Sequence, residues 1–374
     1  MSGSTSLNNP YAPAYAIRPR LRVMSNGVEL PQSLAAQISS SNHFQADRFN
    51  LSFVPTLSGI GSPQWWSQQT FIPVDIQLGL LPLGAPPTAI PSWTSILTGE
   101  VDKMSFEPPR NLITLEGRDL TAHFIDNKTT GSYVNQSSSD IVTTLAASRG
   151  LTAKVTETDG TTGRFWSADR ETSTFNQSSK NTTEWDLIVS LAKKEGYDAF
   201  VQGTTLYFQP ETDPTSTPYV WFNKIDAQGR QTGNVRELKM DRVLTVAKGL
   251  NVTVNSWHSK QNRAFSRTSS TQASIGPDGK MLAQNYVLQR PNMTEDEAQA
   301  YADKTAQEFA SHELLIEAEM PGDLLLTPRV MVSLQGTGTI FDQAYYAVSV
   351  TKVISVSAGF TMHASCKNKA SEDQ

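Results

Sequence analysis

The stretch Pro73-Val74-Asp75-Ile76-Gln77-Leu78-Gly79 alternates apolar with polar residues, as a strand with one buried face does. A similar stretch, Val330-Met331-Val332-Ser333-Leu334-Gln335-Gly336, returns late in the chain. Each is followed by a Val-x-Lys triplet and a hairpin, at Val101-Asp102-Lys103-Met104 and at Val350-Thr351-Lys352-Val353. One strand order used twice predicts two copies of one β-barrel, in which Val74, Ile76 and Leu78 face the core as Val330, Val332 and Leu334 do. The alternative is a chance similarity between two strands.

The composition favours a β-rich chain of two or three domains. The 374 residues include 38% hydrophobic and only 18% charged residues, which suits short strands and polar turns better than long charged helices. The formal net charge of -5 argues against a protein that neutralises nucleic-acid phosphates. Cys366 is the only cysteine, so an internal disulfide and a thiolate metal site are excluded.

The periodicity predicts a mainly β fold in which two β-barrels flank a small α+β module. The first barrel has alternating segments such as Phe49–Phe53 and a stiff hairpin loop at Glu107–Asn111. We predict an N-terminal segment at 1–19, a first barrel at 20–121, an α+β module at 122–235, a second barrel at 236–258 and 313–366, a long loop and helix insertion at 259–312, and a disordered tail at 367–374.

Three helices are predicted from caps and apolar spacing, over 139–149, 183–196 and 294–309. Ser139, Thr183 and Thr294 are their expected N-caps, and Thr294 forms a capping box with Glu297. A hairpin is predicted over 199–209. The polar segment 259–279 has no apolar period and is predicted to be a long exposed loop.

The chemical motifs of an enzyme are incomplete in this sequence. Ser311-His312-Glu313-Leu314-Leu315 begins like a zinc-protease helix, but Ile316 stands where the second ligand belongs. Gly336-Thr337-Gly338 follows a strand without a helix behind it, which favours a hairpin turn over a phosphate site. The histidines share no ligand spacing; they are His43, His123, His258, His312 and His363. We therefore predict no catalytic, cofactor-binding or metal-binding residues and no enzyme, while a triad or acidic pair assembled through space stays open.

Two further features point to surfaces. Arg18, Arg20 and Arg22 share one face of a strand, either as a wall facing nucleic acid or a partner carboxylate, or as the wet side of an edge strand, which Pro19 favours. Trp65-Trp66 lies on what reads as an extended segment, so one indole is expected to pack inward. The other either anchors an interface or is buried beneath a loop.

Several segments spread along the chain carry a resemblance to a known family. They are Phe44–Phe49, Leu97–Asp102, Ile113–Ala122 with Ile125-Asp126, Ser139–Val142, Glu184–Leu187 with Glu195–Tyr197, Leu206–Pro210 and Met320–Asp323. In the family's order, these segments resemble the baseplate hub proteins of contractile phage tails, the late control gene D family, and the hub portion of the valine–glycine-repeat spike proteins of type VI secretion. The resemblance spans about residues 20 to 365 and no single motif decides it.

The resemblance implies tail-tube-like barrels and a homotrimer that adapts a sixfold tail tube to a threefold spike. The implied partners are further copies of the chain, the spike protein and the tail tube protein, with tape measure and baseplate wedge proteins as further contacts. DNA would only be in transit through the channel. Because only a short polar tail follows Met362, the spike is expected to be a separate chain.

Two other functions stay open at this point. Trp65, Trp66 and Trp93 would stack on sugars in a carbohydrate-binding tail component, and a peptidoglycan hydrolase is the third interpretation. Met1–Asn9 lacks an apolar core and no stretch is long enough to cross a bilayer. We therefore expect synthesis in the host cytoplasm, no stable membrane insertion, and a final location in the baseplate of a virion or tail particle.

Overall fold

The computed structural model describes residues 6–10, 17–42, 44–82, 84–86, 88–128, 132–134, 136–158, 165–167, 170–172, 174–176, 183–211, 216–225, 228–258, 263–271, 282–291, 293–356 and 359–368. The strands are β1 Ile17–Ser25, β2 Val28–Glu29, β3 Ser33–Ser41, β4 Arg48–Phe53, β5 Pro73–Pro82, β6 Trp93–Glu107, β7 Leu112–Asp119, β8 Ser132–Val134, β9 Thr152–Val155, β10 Phe165–Ser167, β11 Arg170–Thr172, β12 Thr174–Asn176, β13 Tyr197–Gln202, β14 Thr205–Pro210, β15 Tyr219–Ile225, β16 Gln231–Gly233, β17 Glu237–Arg242, β18 Leu250–His258, β19 Arg263–Ser270, β20 Gln284–Gln289, β21 Leu314–Pro321, β22 Met331–Gln335, β23 Ala344–Ser355 and β24 Gly359–Asn368. The helices are α1 Pro63–Ser67, α2 Ala122–Ile125, α3 Ser138–Ser148, α4 Glu184–Glu195, α5 Leu244–Ala247 and α6 Glu295–Ala310, with a short 3-10 helix at Pro108–Arg110.

The first barrel is formed by six strands paired in the order β1-β5-β6-β7-β4-β3. Its strands alternate buried with less buried residues, and the buried face of β5 includes Val74, Ile76 and Leu78. Leu51, Ile113 and Leu115 complete the centre of the core. Because a period of two puts every second side chain on one face, the alternation visible in the sequence becomes the barrel core.

The second barrel repeats the first in both pairing order and chain order, as β15-β22-β23-β24-β21-β17. The longest strand of each barrel, β6 or β23, carries a bulge where it pairs with the next strand, and the extra residue is Asp102 in β6 and Val348 in β23. One strand differs, because β1 is antiparallel to β5 whereas β15 is parallel to β22. The predicted mainly β fold with two barrels is confirmed.

The bulges correct the register of the predicted repeat. Val74 pairs with Gly99 and Val332 pairs with Tyr345, each three positions before the bulged residue. Val332 is therefore the counterpart of Val74, so the sequence alignment of Val74 with Val330 is wrong by two residues. The side chains keep their faces because the strand period is also two. The same sequence alignment matches Val101 with Val350, and this match is wrong by three residues.

The α+β module packs α3 and α4 on the sheet β13-β14-β9, with a core that includes Phe124, Leu145, Ile188 and Phe208. The predicted hairpin is β13 and β14. Thr183 caps α4 through a capping box with Asp186, and Gly196 ends it in the left-handed conformation, as predicted. The predicted cap of α3 is wrong by two residues, because Ser137 rather than Ser139 accepts the hydrogen bond of the third helical residue.

Sheet membership differs from the predicted division in two places. β15 and β16, predicted within the α+β module, belong to the second barrel. β18, predicted within that barrel, instead pairs with β19 and β20 in a separate three-stranded sheet covered by α6. The predicted long loop is therefore wrong over β19, a strand made mostly of polar residues that are alternately exposed and half-buried. Residues 259–262 and 272–281 lie outside the described residues. The Thr294–Glu297 capping box of α6 is confirmed.

The two ends of the chain also differ from expectation. In the N-terminal segment, Asn8 exchanges hydrogen bonds with the backbone of Val220 (2.8 and 3.0 Å), and Ile17 already begins β1. Of the predicted tail, Lys367 and Asn368 belong to β24, where the Asn368 side chain accepts a hydrogen bond from the Leu314 amide. Residues 369–374 lie outside the described part of the chain.

Candidate assembly surfaces

The barrels are joined by one strand pairing, which we call the barrel joint. Ala35–Ser41 of β3 pairs antiparallel with Ser349–Ser355 of β23, so one sheet runs through both barrels. Ser39 and Thr351 add a side-chain hydrogen bond of 3.2 Å. Since β3 runs opposite to β23, and also opposite to β6 through the intervening antiparallel strands, β6 and β23 point the same way. The two barrels therefore stand side by side in the same orientation.

Beside the barrel joint lies a group of charged residues in buried or half-buried positions. Burial, together with the nearby Asp47 carboxylate, raises the pKa of Asp119 to about 8. Burial also raises the pKa of Asp47 and lowers the pKa of Lys352, although their opposite charges attract. The Thr121 amide and hydroxyl donate to Asp119 at 3.1 and 3.0 Å. The barrel joint is thus bordered by ionisable groups whose charged forms are costly to bury.

Replacing Asp119 by asparagine is expected to flatten the dependence of stability on pH. The carboxyl has a pKa of about 8 in the folded protein, against the ordinary aspartate pKa of 3.8 in the unfolded chain. The folded protein therefore binds the extra proton between these values, and this contribution to stability is full below pH 3.8 and lost as the pH rises through 8. The wild type should lose up to about 1.4 kcal/mol per pH unit from this group. Urea unfolding at pH 5 and pH 8 measures the loss, and equal losses in both proteins would contradict the assignment.

Side-chain contacts tie the α+β module to loops of both barrels. The Trp185 indole donates to the backbone oxygen of Phe44 at 2.6 Å. Arg329 donates to Asp198 at 3.3 Å, and its guanidinium lies 3.6 Å from the centre of the Phe200 ring. Both contacts reach from the module to a loop of a barrel. The module is therefore fastened to the barrels.

Several of these contacts lie in segments that carry the family resemblance. Asp47, Asp119, Trp185 and Asp323 all come from such segments, and the Asp323 side chain accepts hydrogen bonds from Leu325 and Leu326. Sequence reasoning gave none of these residues a role. The available signal was a charged residue at the end of an apolar strand, as in Ile113–Asp119.

Exposed apolar side chains occur at both ends of the barrels. Strand directions put the β4–β5 and β21–β22 loops at one end, with Leu57, Phe71 and Leu325 exposed there. The β5–β6 and β22–β23 loops lie at the opposite end, where Ile90 and Ile340 are exposed. Matching loops of the two barrels thus present matching apolar residues, as surfaces that meet a partner do.

The predicted surface residues separate into buried and exposed ones. Trp65 and Trp66 lie on α1 instead of an extended segment; Trp66 is 1% exposed, and Trp65 packs against the same core. Trp93 is covered by Arg22, whose guanidinium lies 4.3 Å from the centre of the ring. β1 pairs with β5 along its length but with the short β2 only at Met24 and Ser25. The edge-strand interpretation of the three arginines is therefore favoured.

The three histidines whose side chains the structure describes lie on different elements. His123 lies 2.7 Å from Glu100, burial lowers the pKa of His312, and His363 lies on β24. The side chains of His43 and His258 lie outside the description. Among the described residues, no group of three or more His, Cys, Asp or Glu side chains could hold a metal ion.

Neither incomplete motif forms a chemical site. Helix α6 ends at Ala310, so His312 is not helical, and Glu313 binds Arg242 at 2.8 Å. Gly336–Gly338 is the predicted hairpin turn, held by Asp342, which accepts from the amides of Thr337 and Gly338. Within the described ranges, no helix is both long and apolar enough to span a bilayer.

The fold matches solved tail proteins at low sequence identity. A tail protein from Neisseria meningitidis MC58 aligns with a TM-score of 0.66 and 15% identity, covering 95% of this chain and 97% of that chain. The 43 kDa tail protein of prophage MuSo2 from Shewanella oneidensis gives 0.61 and 15%, covering 94% and 98%. A chain of the Francisella PdpA-VgrG complex gives 0.56 and 10%, covering 96% and 58%. The chain therefore has the fold of phage tail proteins.

Sequence comparison adds a family name. No curated protein sequence matches this chain. The family model described as the Alg8 N-terminal domain matches residues 95–355, which run from the first barrel through the α+β module into the second. Since this match covers more than half of the chain, the protein belongs to the Alg8 N-terminal domain family.

Proposed function

We propose that this protein is the structural hub of a contractile tail baseplate, a homotrimeric ring between the tail tube and the spike. The observation that carries the proposal is the repeated barrel: two copies of one strand order, joined side by side in the same orientation. Three chains with two such barrels each would present six similar barrels around one axis. A ring of this kind meets a sixfold tube through its barrels and a threefold spike through its chains.

The barrel ends supply the surfaces for the two neighbours. The exposed apolar residues recur in equivalent loops at each end, as at Ile90 and Ile340, so six similar contacts would form on each side of the ring. The tail tube protein at one end and the spike protein at the other are the proposed partners, with tape measure and wedge proteins as further contacts. DNA would pass through the central channel without sequence-specific contacts.

The role we propose is structural rather than catalytic. The sugar-binding alternative relied on three exposed tryptophans, but Trp66 is buried and Trp93 is covered by Arg22. A hydrolase would clear a suspension of cell walls, and a turbidity assay tests this directly. We expect no clearing by the purified protein.

The purified protein is expected to form a homotrimer with three times the 41.0 kDa chain mass, at high concentration or with the spike protein bound. Light scattering measures the mass, and negative-stain images should show a ring with an open channel. A strict monomer that persists when spike protein is added would contradict the hub.

A further inference from the structure

Two strand segments that correspond to the two sides of the barrel joint have no partner in the part of the chain that the structure describes. Inside the chain, the edge strand β3 of the first barrel pairs with the far half of β23. In the repeated strand order, β17 holds the place of β3, and β6 holds the place of β23. Within the described residues β17 pairs only with β21, and the half of β6 from Lys103 to Glu107 pairs only with β7. An unpaired edge presents a row of free amides and carbonyls.

The register of the repeat shows which residues would meet. In the barrel joint, Ile38 pairs with Lys352, four positions after the bulged Val348. The residue four positions after the bulged Asp102 of β6 is Phe106. The same position on the edge strand of each barrel can be found by following paired residues from the bulge across the two intervening strands. This leads to Ile38 on β3 in the first barrel and to Met240 on β17 in the second. Met240 should therefore lie opposite Phe106.

The residues that this register brings together are complementary. Phe106 and Met240 are large apolar side chains that are 39% and 36% exposed. The next pair, equivalent to Val353 and Gln37 of the barrel joint, places Glu107 opposite Lys239. Opposite charges and apolar contacts between facing residues both stabilise a strand pair. The register was set by the bulges alone, so this match is an independent observation.

We propose that β17 of one chain pairs antiparallel with Lys103–Glu107 of a second copy, with Met240 opposite Phe106 and Lys239 opposite Glu107. The pairing repeats the barrel joint between chains, and three such pairings close a ring of six barrels. The inference rests on the proposed hub, since it supplies the contact that makes the trimer. The occupant of both edges is another copy of this chain.

A cysteine pair tests the register in the full-length protein. Facing residues of an antiparallel pair have Cβ atoms about 4.5–5.5 Å apart, close enough for a disulfide after small shifts. A chain that carries both Phe106→Cys and Met240→Cys is expected, on mild oxidation, to form disulfide-linked species of up to three chains and none larger. Lys103→Cys with Met240→Cys is the matched control, because residue 103 lies about 10 Å further along the strand. The control should stay largely uncrosslinked, as should each single variant.

A charge exchange gives a second readout that does not depend on oxidation. Glu107→Lys alone and Lys239→Glu alone each place like charges opposite one another. Each should raise the protein concentration needed for half-assembly several-fold, while the double exchange should restore it. Both residues are exposed, so the fold is expected to survive; circular dichroism checks this.

The outcomes separate the inference from the hub. Covalent trimers with restored assembly in the double exchange support both. A trimer by mass that neither crosslinks nor responds to the charge changes overturns this register and leaves the hub. Crosslinked chains that grow beyond three support the edge pairing but reject a closed trimer. A protein that stays monomeric and uncrosslinked at the highest attainable concentration overturns both.

Discussion

Replacing Val332 by aspartate is expected to unfold the protein. Val332 is 0% exposed and pairs with Tyr345 and Tyr219, both buried. An unpaired carboxylate there costs several kcal/mol, a large part of the typical stability of about 5–15 kcal/mol. Ile76, also 0% exposed on the counterpart strand β5, should behave the same way. Urea or thermal unfolding followed by circular dichroism measures the loss.

The neighbouring position provides the control for that experiment. Ser333 lies one residue along on the opposite face and is only partly buried. The Ser333→Asp variant should therefore keep an unfolding free energy close to that of the wild type. Gln77→Asp is a less clean control, because Gln77 bonds both Arg22 and Asp75. The Val332→Asp protein should also regain stability at acid pH, where the carboxyl is neutral. Equal stability of the Val332 and Ser333 variants would show that the core face has been assigned wrongly.

Replacing Trp66 by alanine is expected to cost about 3–5 kcal/mol of unfolding free energy, since a buried aromatic side chain leaves a large cavity. Its ring centre lies 5.7 Å from that of Phe53, and its indole N–H donates to the Gly61 carbonyl at 3.1 Å. Trp66→Phe keeps most of the apolar area and should cost less. Chemical denaturation gives both values.

An exposed apolar residue of the same region is the matched control for Trp66. Leu57 lies in the loop that leads to α1 and is fully exposed, so Leu57→Ala should change stability by less than about 0.5 kcal/mol. A loss of several kcal/mol at Leu57, or none at Trp66, would contradict the placement of Trp66 in the core of the first barrel.

The sequence predicted correctly those elements whose pattern lies within a few neighbouring residues. Alternation at Val74–Leu78 and Val330–Leu334 marked two core strands, because a period of two fixes which face is buried. Capping boxes placed α4 and α6 since their hydrogen bonds join residues three apart. The same reasoning missed β19, because both the exposed and the half-buried positions of this strand are mostly polar. It also missed that Trp65 and Trp66 are helical.

By itself, then, the sequence determined a mainly β chain with two related strand sets and no complete enzymatic motif. Only the tertiary structure decided which strands pair, because hydrogen bonds between strands far apart in sequence leave no local pattern. β18 shows this well: it alternates like a barrel strand, yet it pairs with β19 and β20 under α6. The barrel joint also needed the folded chain, because its partners β3 and β23 lie about three hundred residues apart and meet only when both barrels have formed.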